Sequence, residues 1–161
     1  MRYVFVHVPE ERFFGFEATV VLGEPVQMAT TERALLDALD RPRFAGGIGE
    51  VSRIAARAAR RVSWKRFVEY AREWSSSALV QRLGCFLDLH CAKVPDGTRS
   101  ALLALVLPQS KIHLGSRHRW GATGTLVRPW NVIENVPRSV LVSRDDEPGR
   151  RVVLPVKAGR R

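Results

Sequence analysis

Three acidic residues, Glu32, Asp37 and Asp40, fall within nine positions and are the first place to look for acid–base chemistry. On a helix Glu32 stands about 140° from Asp37, while Asp37 and Asp40 are about one turn apart. Helix capping, dipole and surface roles account for all three, and no facing pair is implied. A metal-dependent nuclease would set an acidic pair closely before a lysine in a strand hairpin. The nearest set, Asp88 with Lys93 or Asp96, falls in or beside a helical stretch. The serines and four histidines show no nucleophile elbow and no base–nucleophile spacing. Gly46-Gly47-Ile48-Gly49 lacks the Lys-Ser/Thr of a phosphate loop and follows no strand, so it reads as a corner. Cys85 and Cys91 with His90, His113 and His118 offer no second close ligand pair, so buried thiols and ordinary histidines are expected. The spacing of the two cysteines puts them on different sides of a helix, against a mutual disulfide. The expectation is a non-enzyme without cofactor or metal.

Charge is the more informative chemistry. The 161 residues carry a net +10, unevenly placed. Residues 2–50 hold five basic and eight acidic groups, and residues 51–66 hold six basic and none acidic. Residues 67–108 balance at four against four, residues 109–129 carry four basic groups and no acid, and residues 130–161 carry seven against four. Three positive clusters point to a polyanionic partner, nucleic acid or an acidic protein surface. The candidate nucleic-acid-binding residues are Arg53, Arg57, Arg60 and Arg61, continued by Lys65 and Arg66, and then Lys111, Arg117, Arg119 and Arg128. The competing reading is a solvated face, because arginine beside alanine also arises from GC-rich coding.

These residues need elements to carry them. Residues 3–8 are β-branched and aromatic and end at Pro9, which predicts a first strand. Residues 16–22 and 25–29 flank Gly23-Glu24 as a hairpin. Thr30-Thr31-Glu32 supplies a cap for a helix that ends at Arg41-Pro42. Residues 50–62 are the clearest amphipathic pattern: Val51, Ile54, Ala55, Ala58 and Val62 on one side, the arginine stripe on the other. Ser63 caps a helix with Trp64, Phe67, Val68 and Ala71 inward. Ser75-Ser76-Ser77 caps another with Leu79, Val80, Leu83, Phe86, Leu87 and Cys91 inward. A leucine-rich, mostly buried helix should run from Asp96 or Thr98 to Leu107. Short strands are expected at residues 111–114, 125–127, 132–133 and 140–142. The fold class is α+β: a small N-terminal antiparallel sheet, a central helical bundle and short C-terminal strands.

No apolar run reaches the roughly 18 to 20 residues of a membrane span, and residues 1–9 lack a signal peptide's apolar segment and cleavage site. A cytoplasmic protein without membrane contact is expected.

Several of these segments together resemble a known family. Pro9-Glu-Glu-Arg-Phe-Phe-Gly15, a hairpin, Ala29-Thr-Thr-Glu-Arg-Ala-Leu-Leu-Asp-Ala-Leu-Asp-Arg-Pro42 and Ala45-Gly-Gly-Ile-Gly-Glu-Val51 look like the C-terminal domain of AbiEi-type antitoxins, in the same order. Ser77-Ala-Leu-Val-Gln-Arg-Leu-Gly-Cys-Phe-Leu-Asp88 is similar to that family's helix with an Arg-Leu-Gly step, and Trp130-Asn-Val-Ile-Glu-Asn-Val-Pro137 to its C-terminal Trp and Asn segment. The resemblance implies a bacterial antitoxin and transcriptional regulator of a type IV toxin–antitoxin, abortive-infection system. Such a protein opposes a nucleotidyltransferase toxin, represses its own operon and presents positive surfaces to DNA. It implies an antitoxin domain at residues 1–143; the residues beyond, 144–161, read as a loop and a basic tail with room for one edge strand at 151–156. The family's winged helix-turn-helix is not expected in this chain, so DNA binding by it alone should have low sequence specificity. The alternative is a stand-alone, non-specific nucleic-acid-binding protein.

Overall fold

The computed structural model describes residues 5–142. Residues 5–9 are irregular, with Phe5 almost fully exposed, so the described part of the expected first strand is absent. Strand propensity needs a partner edge to act on, and the neighbouring hairpin is occupied with itself. Strands β1 (Phe16–Val21) and β2 (Glu24–Ala29) pair antiparallel, with Val21 opposite Glu24. The turn is therefore Leu22-Gly23, one residue earlier than Gly23-Glu24 suggested. Both of its residues have positive φ, 53° and 87°, as a two-residue hairpin loop requires.

Helix α1 (Thr31–Asp40) starts where the Thr30 hydroxyl accepts the Arg33 amide. After a 3₁₀ turn at Pro42–Phe44 come α2 (Ile48–Ala58), α3 (Trp64–Trp74) and α4 (Ser77–Leu89). α1 packs on α2, α3 and α4, and α2 packs on α4. The buried faces supply Leu35, Leu36 and Leu39, Val51 and Ala55, Phe67 and Ala71, and Leu79, Leu83 and Phe86. Each fully buried large side chain contributes about 1.5–3 kcal/mol, so this bundle holds most of the core. Ser63 and Ser76 occupy N-cap positions without making side-chain cap bonds. Instead the Ser63 amide donates to Glu32 Oε1 at 2.6 Å, tying α3 to α1.

Helix α4 stops at Leu89, and Cys91 follows in a left-handed conformation, exposed rather than inward. The expected buried pair of thiols is thus one buried thiol, Cys85, which burial pushes up to about 12, and one exposed. The helix expected to reach Leu107 is α5 (Thr98–Leu103), and Leu107 beyond it is 61% exposed.

The C-terminal sheet is small and mixed. Strand β3 (Ile112–His113) runs parallel to β5 (Val132–Glu134), which pairs antiparallel with β4 (Thr125–Val127). Short helices α6 (Arg117–Trp120) and α7 (Arg138–Leu141) complete the described chain, α7 standing where a strand at 140–142 was expected. Pro137 opens it as N-cap, and Leu141 seats in the core.

Two motif residues fasten this sheet to α4. A Cβ at Gly84 would land on the ring of fully buried Trp130, so glycine is what lets the indole lie against the helix. Trp130 Nε1 donates to Asp88 Oδ2 at 2.7 Å, and Gln81 Nε2 donates to the Trp130 carbonyl at 2.8 Å. Asn135 closes a second knot, accepting the Gly115 amide and donating to the Gly115 and Gly121 carbonyls. Among the described residues no helix is long and apolar enough to cross a membrane. The expected tail at 144–161 and its edge strand lie outside the described residues.

Candidate nucleic-acid interface

The arginine stripe is shorter as a helical face than its periodicity suggests. Helix α2 ends at Ala58 rather than near Val62, so Arg60 and Arg61 sit on the turn that follows. There the Arg61 amide donates to the Ala58 carbonyl at 2.8 Å and Val62 still packs inward. Arg57, Arg60, Arg61, Lys65 and Arg66 are exposed, whereas Arg53 is half-buried.

Arg53 and Arg57 are not uncompensated. Glu50, one residue before the acid-free segment, accepts Arg53 Nη2 at 2.7 Å and Arg57 Nη2 at 2.8 Å. These hydrogen bonds hold its carboxyl below the usual range. Arg53 also reaches the Val140 carbonyl at 3.4 Å. Surface pairs of this kind contribute about 0–1 kcal/mol, so Arg57, 60% exposed, stays available to a stronger anion. Arg60, Arg61 and Lys65 form no ion pair among the described residues, and Arg66 lies 3.7 Å from Glu32.

Arg57, Arg60 and Arg61 share the wall of a surface pocket of about 590 Å³ with Lys93, which arrives from the α4–α5 connection. Lys93 belongs to this surface and was missed, because its stretch of sequence is charge-balanced. Its proximity is set by the turn after α4, which no local pattern encodes.

The second cluster does not assemble. Ile112, Val132 and Val127 share one row of the small sheet, which puts Lys111 and Arg128 at one end. Arg117 and Arg119 follow β3 on α6, at the other end. All four are exposed. Arg119 joins Arg53 in lining a separate cavity that also holds Arg82.

The acidic trio is dispersed over three partners. Glu32 is only 4% exposed, contrary to a surface role. Burial pushes its carboxyl up, but the Ser63 amide, its own amide, the Thr30 hydroxyl and Arg66 outweigh that and hold it below the usual range. Asp37 pairs with Arg33 at 3.0 Å, and Asp40 with Arg41 at 3.4 Å. Ser52 Oγ lies 2.8 Å from His90 Nε2, a serine–histidine contact that sequence spacing did not reveal. Ser52 is fully buried, and it is His90 that lines the surface pocket. Among the described residues no group of three or more His, Cys, Asp or Glu side chains is placed to hold a metal ion. Compared with known protein families, curated proteins and solved structures, the chain matches none at a significant level.

Proposed function

We propose that this chain is a cytoplasmic, non-catalytic antitoxin and transcriptional-regulator domain of the AbiEi kind. It would counteract a nucleotidyltransferase toxin and contact DNA through its basic face. The resemblance carries the antitoxin part. The observation that carries the DNA part is the surface of Arg57, Arg60, Arg61 and Lys93, extended by Lys65 and Arg66 at the start of α3. Clustered guanidinium groups with few carboxylates nearby suit phosphate oxygens, which arginine engages through two donors at once.

Binding should be nearly independent of sequence and steeply salt-dependent, because each neutralised phosphate releases condensed counterions. Fluorescence anisotropy on a labelled duplex tests this with the triple reversal Arg57→Glu, Arg60→Glu and Arg61→Glu. The variant should keep its fold, since the three side chains are exposed, and lose at least about tenfold in affinity. The slope of log affinity against log salt should become shallower by about three. Unchanged affinity would remove this face from the interface.

The same face also suits a stand-alone, non-specific nucleic-acid-binding protein. A nucleotidyltransferase gene beside this one, with growth rescued when the two are co-expressed, favours the antitoxin reading. Failure to rescue favours the stand-alone one.

A further inference from the structure

At the N-terminal end of α2, a cavity of about 750 Å³ opens between the α1–α2 connection, α4 and α6. That size is typical of small-molecule sites, which run from about 300 to 1,000 Å³. Five arginines line it, Arg41, Arg43, Arg53, Arg82 and Arg119, against two carboxylates, Asp40 and Glu50. They converge from four separate parts of the chain, so no single charge run announces them.

The two carboxylates are already engaged. Asp40 pairs with Arg41, and Glu50 with Arg53 and Arg57. Arg43 lies over the Phe44 ring and Arg119 over the Trp120 ring, and neither forms an ion pair among the described residues. Arg82 is the most constrained. It is half-buried on α4, and its Nε is shut off from solvent without a hydrogen-bond partner. Burial disfavours its charged form, with only Asp40 opposing at longer range.

A desolvated guanidinium donor left unmatched is costly to the fold. It is also what an anion site needs, since the donors are in place before the ligand arrives. The backbone adds to it. Gly47, Ile48 and Gly49 line the same cavity, and α2 begins there without a side-chain cap. Alone that would mark no site, but here it faces the arginines. Trp120 supplies an apolar wall beside them.

We propose that this cavity binds a small phosphorylated anion, its phosphoryl oxygens held by Arg82 with Arg43 and Arg119 and its organic part resting toward Trp120. The site touches the DNA-contacting face only at Glu50, which lines the cavity and pairs with Arg57, and its test is separate.

Calorimetric titration of the full chain with inorganic phosphate, AMP and adenosine tests this, with tryptophan fluorescence as a second readout. Phosphate and AMP should bind saturably at one site, AMP more tightly, and adenosine not at all. Arg82→Met should weaken AMP at least about tenfold while leaving duplex DNA affinity unchanged. Should that variant fail to fold, the double reversal of the exposed Arg43→Glu and Arg119→Glu should give the same loss. No saturable binding of either phosphorylated probe at millimolar concentration would overturn the proposal. So would AMP affinity unchanged in both variants, adenosine binding as well as AMP, or an Arg82 dependence seen only with duplex DNA.

Discussion

Two arginines, one fully buried and one half-buried, meet opposite fates in this fold. Arg33, fully buried on α1, is well matched: Nε donates to Asp37, and Nη1 donates to the Phe14 carbonyl at 2.9 Å and to the Arg12 carbonyl. Its guanidinium also lies over the rings of Trp74, Phe16 and Phe14, at 4.6, 5.1 and 5.3 Å. Arg82 on α4 has none of these bonds. The first is a fastener that binds the N-terminal segment and hairpin to α1 and α3. The second is a donor without an acceptor, and the contrast separates a charge that holds the fold from one held ready for a ligand.

The largest effect that would sharpen this contrast is at Arg33. Arg33→Met keeps the length and apolar stem but leaves Asp37 and two carbonyls without their donor. Asp37 is half-exposed and water can replace its donor, but the Phe14 and Arg12 carbonyls lose theirs, at about 1–3 kcal/mol for each acceptor left unsatisfied. Chemical denaturation should show a loss of that size. A loss under about 1 kcal/mol would mean that the aromatic rings, not the hydrogen bonds, hold the segment.

That Arg33 is a core residue was not legible, whereas α1 itself was. The Thr30 cap, the leucine spacing and the stop at Arg41-Pro42 are local signals, and the observed helix obeys them. The hairpin and most of the bundle were readable for the same reason, as were β4 and β5. Failures came where a non-local partner decides the outcome. Residues 5–8 have strand composition but no edge to join. Residues 140–142 have β-branched residues, yet α7 forms there and packs on α2. The resemblance motifs find physical reasons in packing, Gly84 under Trp130 and Asn135 around Gly115. The basic stripe was legible as composition. Its division between two cavities was not, because Lys93 and Arg82 come to these cavities only through tertiary contact, and Glu50, on α2 itself, stands one residue before the acid-free segment. An i,i+4 Arg33–Asp37 spacing was the one available hint of this pair.

A smaller effect tests whether a hydrogen-bonded buried charge on the same helix behaves alike. Glu32 accepts the Ser63 amide, and its carboxyl is held below the ordinary glutamate value of 4.5. A carboxyl whose folded pKa is depressed stabilises fully above its unfolded pKa, and that contribution is lost as pH falls through the folded value. Glu32→Gln should therefore cost about 1.5–3 kcal/mol at pH 7, the worth of a hydrogen bond to a charged group. The gap between the two proteins should close as pH falls below 4.5, and a gap that stays constant down to pH 3 would assign the loss to packing.

The smallest expected change in stability is at Arg82, and its smallness is the point. If the guanidinium were a fastener like Arg33, Arg82→Met would expose orphaned acceptors and cost several kcal/mol. It leaves none: no hydrogen bond of Arg82 exists among the described residues, and Asp40 keeps Arg41 at 3.4 Å. What the substitution removes is a partly desolvated charge, and what it supplies is an apolar chain in a cavity that Ile48, Leu114 and Trp120 also line. Replacing poorly matched buried charge by well-packed apolar groups is neutral or stabilising. The denaturation midpoint of Arg82→Met should therefore match or exceed the parent's, within about 1 kcal/mol at neutral pH and without added phosphate. Added AMP should raise the midpoint of the parent and not of the variant, since a ligand stabilises only the state that binds it. A loss above about 2 kcal/mol in the absence of ligand would place Arg82 with Arg33 among the structural arginines and dissolve the distinction between them.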